Sequence, residues 1–278
     1  MVVRIITAFV AILVLLPILI FSDTLVLPIA AAAFSVIAVF EMLRCCGLHK
    51  KLWICVPMLL SAFYPIYAYY ERDRGAFAAT GMAVLVVWAL YLFTYLVLKR
   101  GKSSIQEIAT AFLSCFYIIA AFSGLVLLRY ASDDGQYVYL ICFFGAWVTD
   151  TFAYFCGRLF GKHKLIPEIS PKKTVEGSIG GIVFCVLSML LYGYIVCSVS
   201  DGTVTANYWM LAVSGLFISF VSQIGDLCMS AVKRTYGIKD FGKLFPGHGG
   251  VLDRFDSVLA VALVLLLATS FGNFFVMA

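Results

Sequence analysis

Two stretches gather reactive side chains in a chain that otherwise has few. "KDFGKLFPGHGGVLDRFD", from Lys239 to Asp256, sets lysines, an arginine, a histidine and aspartates among glycines just before the last apolar run. "SQIGDLCMSAVKR", from Ser222 to Arg234, places Gln223, Asp226, Ser230 and Lys233 at helical spacing, a polar stripe on an apolar helix. In the first stretch, Gly242, Gly247, Gly249 and Gly250 permit close bends whose amides suit phosphate. Asp253 and Asp256, three positions apart, share one face where a helix begins. Side by side they repel unless something positive lies between them, and an oxygen-only cluster suits Mg2+. The plainer reading, a helix cap plus an Asp253–Arg254 surface pair, explains one aspartate and leaves the other unexplained. An aspartate at 226, inside an apolar helix, is costly unless paired or bound to metal, and reads as functional. For Ser222 and Gln223, helix–helix contact serves equally well.

A third stretch, "GRLFGKHKLIPEISPKKTVEG", adds Arg158, Lys162, Lys164, Lys172 and Lys173. Ser170–Pro171 reads as a helix N-cap followed by proline at the first helical position, which would set Lys172 and Lys173 beside an anion-binding helix N-terminus. An ordinary basic membrane loop accounts for part of this charge. Asp150 and Tyr154, four apart, face this loop; Asp150 reads equally as a metal ligand or as a counter-ion to Arg158 or a lysine. Glu176 falls in the first turn of the following helix, and His248 either touches phosphate or shapes its turn. Carboxylates for a divalent cation, glycine turns and many cations suit a polyphosphate substrate meeting a lipid. Phosphoryl or nucleotidyl transfer needs charge neutralised and attacker and phosphorus held in line.

The elements that position these groups are membrane helices. Of 278 residues, 63% are hydrophobic and 13% charged, with a mean hydropathy of +1.02. A soluble domain carries about a quarter charged residues, so a water-facing globule is excluded. Apolar runs long enough to span fall at about 4–21, 24–43, 52–70, 76–98, 105–128, 137–156, 174–198, 207–231 and 255–275. The expectation is an all-α polytopic membrane protein of about nine transmembrane helices. Of the 20 lysines and arginines, only Arg72, Arg74 and Arg129 fall on one side of such a layout. The N-terminus is therefore expected in the cytoplasm and the C-terminus outside. The first run lacks a small-residue cleavage site and reads as an uncleaved helix. None of the nine cysteines has C-x-x-C spacing, which predicts free thiols and no zinc site. The net charge of +5 reflects orientation with some attraction to anionic lipid, not nucleic-acid binding.

Residues 1–136 have short loops and read as a scaffold that offers dimer contacts. Residues 137–278 hold both long cytosolic loops, 157–173 and 232–254, and most intramembrane acids, so chemistry is expected there. Glu41, Glu107, Asp150, Glu176, Asp226 and Asp256 all fall near the cytosolic ends of their helices. A transport route would want ionisable groups at mid-depth as well.

The spacing Ser230-x-x-Lys233-Arg234, Lys239-Asp240-x-Gly242, Pro246-x-His248-Gly249-Gly250-x-x-Asp253-Arg254-x-Asp256 resembles the signature of the phosphatidate cytidylyltransferase (CDP-diacylglycerol synthase) family. "DTFAYFCGRLFGKHKL" and "SPKKTVEGSIGG" are similar to that family's upstream segments, so the resemblance covers about 150–260. Val175 stands where the family's pattern has Trp. The resemblance implies that CTP and phosphatidate give CDP-diacylglycerol and pyrophosphate. It implies that Asp226 and Asp253 hold catalytic Mg2+, with a second cation, K+ or Mg2+, and that Asp256 assists. On the same footing Lys172, Lys173, Lys233, Arg234 and Lys239 hold phosphates, while Ser230, His248, Gly249, Gly250 and Arg254 complete the substrate pocket. Asp150, Tyr154 and Glu176 support it, and a homodimer fits the family. The chain's size suggests a bacterial inner-membrane enzyme with its site facing the cytoplasm. A CTP-dependent lipid kinase acting on a polyprenol or phytol would use the same groups. A cation-coupled transporter is disfavoured by the one-sided layer of acids, and a CDP-alcohol phosphotransferase by the lack of a D-G-x-x-A-R run.

Overall fold

With no water in the hydrocarbon layer, a backbone crossing it must satisfy its own amides and carbonyls, and a run of apolar residues does so as a helix. The computed structural model describes residues 2–98 and 104–277. Its helices are α1 (Val2–Ile20), α2 (Val26–Cys45), α3 (Leu52–Ser61), α4 (Tyr64–Tyr70), α5 (Arg74–Leu98), α6 (Ile105–Tyr130), α7 (Gly135–Phe160), α8 (Val175–Val199), α9 (Tyr208–Thr235) and α10 (Leu252–Ala268). Four short strands join them: β1 (Lys164–Ile166), β2 (Ser170–Thr174), β3 (Val204–Ala206) and β4 (Phe275–Met277). Among the described residues 7 segments are long and apolar enough to cross a membrane. The run 52–70 is one of them, broken at Ala62–Phe63, with Pro65 in the first turn of α4. The protein is thus a polytopic, mostly helical membrane protein. Among the lysines and arginines opposite Arg72, Arg74 and Arg129, on which the expected orientation rests, Lys99, Arg100 and Lys102 lie outside the described residues.

The expected all-α polytopic class agrees with the helices, and the connections add two short strand pairings: β1 pairs antiparallel with β2, and β3 with β4. Some local expectations differ. Ser170 and Pro171 begin β2 and cap no helix. The residue before a proline is pushed toward extended backbone, so Ser-Pro served a strand as readily as a cap. The cap of α8 is Thr174, whose side chain accepts from the Gly177 amide at 3.1 Å. Lys172 and Lys173 therefore lie on the strand leading into α8. The last helix stops at Ala268, short of the expected 275, because residues from Phe275 turn back to pair with β3. Asp256 falls in the second turn of α10, and α9 runs on to Thr235, more than two turns past Asp226. The two long loops shrink accordingly.

The chain packs as two compact units, and the last boundary between them falls inside α10 after Arg254. One unit is Met1–Leu127 with Tyr236–Arg254. Its α2 buries a stripe that includes Ala31, Ala38, Val39, Met42 and Leu43, while α5 buries only Leu92 and presents apolar side chains outward. Trp88 of α5 donates to Ser61 at 2.7 Å, tying it to α3.

The other unit is Leu128–Thr235 with Phe255–Ala278. Here α7 and α8 approach closely. A methyl at Gly177 would sit 2.5 Å from the Ala153 carbonyl, so only glycine lets the two backbones meet there. Asp134, just ahead of α7, is 4% exposed and accepts from the Phe274 and Phe275 amides at 3.2 Å, holding the β3–β4 end of this unit.

Candidate active site

The close α7–α8 contact sets a wall, and β2 lays two lysines along it. A cavity of about 260 Å3 lies in the second unit, lined among others by Asp150, Tyr154, Arg158, Lys172, Lys173 and Asp226. Lys173 Nζ stands 2.6 Å from Asp226 Oδ2. Ser230, one turn along α9, donates to Asp226 Oδ1 at 3.3 Å. On the same helix Gln223 Nε2 donates to the Ser178 carbonyl at 3.3 Å, so this part of the polar stripe joins α9 to α8. Arg158 donates to the Tyr154 hydroxyl at 3.2 Å.

Asp150 accepts from the Ser257 hydroxyl at 3.1 Å, which ties α7 to α10. Asp256, half-buried beside Ser257, is repelled electrostatically by Asp226 and Asp150 and attracted by Lys233. Lys233 is itself buried, at 8% exposure. Three carboxylates and two lysines are thus gathered at one end of this unit. Glu176 turns elsewhere: its carboxylate meets His163 Nδ1 at 2.7 Å, in the first turn of α8 where negative charge is favoured. Arg234 is exposed at the end of α9.

In the first unit the loop 236–251 carries Lys239, His248, Gly249 and Gly250, and the first turn of α10 carries Asp253 and Arg254. Asp253 is 8% exposed, and its Oδ2 accepts from the amides of Phe241, Gly242 and Gly250 at 2.8, 3.4 and 2.9 Å. The glycine amides read above as a phosphate cradle are therefore directed in part at a carboxylate of the protein. The Gly249 amide likewise donates to the Phe245 carbonyl at 3.1 Å. Lys239 and Arg254 are exposed, and His248 is half-buried.

Glu41 and Arg44 of α2 belong to this arrangement, and neither had been given a site role. Glu41, 4% exposed, accepts from the Val251 and Leu252 amides at 3.1 and 2.9 Å, and Arg44 donates to the Phe241 carbonyl. The available signal was an acid inside an apolar span; its partners lie 210 and 211 residues away and left no local pattern.

Among the described residues no three of His, Cys, Asp and Glu converge as a ready-made metal cage. Mg2+ is more often held by one or two carboxylates, with water and substrate phosphates completing its shell. The repulsion of Asp256 by Asp226 and Asp150, all oxygen donors, fits that donor chemistry. The neighbouring Lys172, Lys173 and Arg158 give the cavity the opposite charge that a phosphate chain requires.

Comparison with known proteins points the same way. Residues 2–271 match the model of the Cytidylyltransferase family. A protein of Staphylococcus haemolyticus named phosphatidate cytidylyltransferase is 35% identical over 260 residues, covering 93% of this chain and 95% of that one. A protein of the same name from Staphylococcus epidermidis is 36% identical over 271 residues, covering 96% and 99%. One from Staphylococcus aureus is 36% identical over 260 residues, covering 93% and 95%.

Proposed function

The chain belongs to the cytidylyltransferase family, and from that premise we propose that it transfers the cytidylyl group of CTP to phosphatidate. A phosphate oxygen of phosphatidate attacks the α-phosphorus of CTP and forms a new P–O bond. The bond to the β-phosphate breaks, and CDP-diacylglycerol and pyrophosphate leave. The observation that carries this reading is the cavity in which Lys173 meets Asp226 with Lys172 and Arg158 beside it. Opposite charges in one cleft suit a polyanion that arrives with a divalent cation.

Asp226 and Asp253 are the proposed cation ligands, with Asp256 assisting and Asp150 in support. When bound, Mg2+ would neutralise the triphosphate and the leaving pyrophosphate, and a second cation, K+ or Mg2+, belongs to the same proposal. Lys172 and Lys173 hold phosphate oxygens and keep them in line with the attacking group. Ser230 keeps Asp226 aimed into the cavity, and Lys233 offsets the charge of Asp256. Tyr154 holds Arg158 at the rim. Lys239, His248, Arg254 and Arg234 supply further contacts to the substrates, and Asp253 also fixes the loop that bears Lys239 and His248.

The same reading puts nine crossings in a bacterial inner membrane, the N-terminus in the cytoplasm, the site facing the cytoplasm, and two copies together as a homodimer. The test is transfer of label from CTP marked at the α-phosphorus into lipid, by protein purified in detergent, with phosphatidate and Mg2+ present or omitted. Labelled lipid that requires both is the expected result. Label passing only from the γ-phosphorus to an alcohol lipid would make the protein a kinase instead.

A further inference from the structure

The first unit contains a grip on loop 236–251 that the reaction above does not call for. Three side chains from the first two helices hold it. Thr7 of α1 donates to the Pro246 carbonyl at 2.9 Å. Glu41 of α2 accepts from the Val251 and Leu252 amides, the free N–H groups at the start of α10. One turn along α2, Arg44 donates to the Phe241 carbonyl at the loop's other end. A buried carboxylate on consecutive amides at a helix start is a remote N-cap, favoured by the positive end of the helix dipole.

Two glycines of the loop are explained by this carboxylate rather than by a ligand. A methyl added at either Gly242 or Gly250 would run into the Glu41 carboxyl group. Asp253 Oδ2 receives the amides of both glycines from the other side. The loop backbone is therefore clasped between two carboxylates, one from its own helix and one from α2. Burying two acids together is costly, and the amide hydrogens around them offset the cost.

We propose that Glu41 is a positioning residue: by capping α10 and holding Gly242 and Gly250 against Asp253, it sets where the loop presents Lys239 and His248 and where α10 begins with Arg254. The effect on turnover rests on the function proposed above, whereas the effect on the loop does not. Glu41→Gln keeps the size of the side chain but turns one acceptor into a donor facing an amide. With the full-length protein in detergent, this variant should stay folded yet turn over about tenfold or more slowly per folded molecule. Trypsin should cut it after Lys239 or Lys243 markedly faster than the unaltered protein. Gly242→Ala, with Glu41 intact, should give the same two effects and keeps the test open should Glu41→Gln fail to fold. The double variant should be no worse than the worse single one. An unchanged trypsin pattern, activity that tracks only the folded fraction, or fully additive losses would overturn the proposal. If the unaltered protein labels no lipid, the proposed reaction fails, while the trypsin comparison still decides for or against Glu41.

Discussion

At the scale of single residues, Asp226 and Lys173 carry the strongest expectations. Their contact is partly exposed, with side chains 28% and 25% accessible, so it should add no more than about 1 kcal/mol to stability. Asp226→Asn should therefore abolish transfer of label from CTP to lipid and leave the elution volume and Tm nearly unchanged. Lys173→Ala should lower kcat/KM about a hundredfold with an equally small change in Tm, since a charge-assisted contact to a phosphate is lost. Parallel losses of Tm and activity would mean that the pair is structural. Asp226 was legible in the sequence because an acid inside an apolar run demands a reason. Lys173 was half legible: a lysine that neutralises a site and a lysine that marks the cytoplasmic side look alike in a basic loop. Glu41 was not legible as a clasp, because residues 210 positions apart meet only once the chain is folded.

Secondary structure explains what the sequence reading gained and lost next. Most of the apolar runs gave their helices to within a few residues, since the lipid leaves the backbone no alternative. The run 52–70 is broken at Ala62–Phe63, and the last helix stops at Ala268. The polar connections had several alternatives, and there strands and caps compete for the same residues. Ser170–Pro171 fitted a helix start, but the next hydroxyl, Thr174, caps α8 while β2 pairs with β1. Thr174→Val should therefore lower stability by about 1 kcal/mol, seen as a fall in Tm. Thr174→Ser should restore it, because its hydroxyl still accepts the Gly177 amide. If both variants melt alike, the cap assignment is wrong. The same capping holds Lys172 and Lys173 at the mouth of the cavity, so Thr174→Val should also raise KM for CTP.

For the molecule as a whole, hydropathy decided the class and charge asymmetry the expected orientation. In a background whose native cysteines are replaced by serine, Asp201→Cys should react with a membrane-impermeant maleimide in intact cells. Lys164→Cys should react only after the membrane is opened. The reverse pattern would turn the protein over and put the cavity on the wrong side for cytoplasmic CTP. The contact of Lys173 with Asp226 has a consequence at this scale too. The cavity holds its own neutral pair, so charge enters by exchange rather than by addition. On the proposed function, a phosphate that drew Lys173 away would free Asp226 to accept a cation, and a cation on Asp226 would free Lys173 for a phosphate. Each ligand would then lower the free-energy cost of admitting the other, and by linkage to the same extent in both directions. Such a pocket would be an electrostatic latch that opens best to nucleotide and metal together.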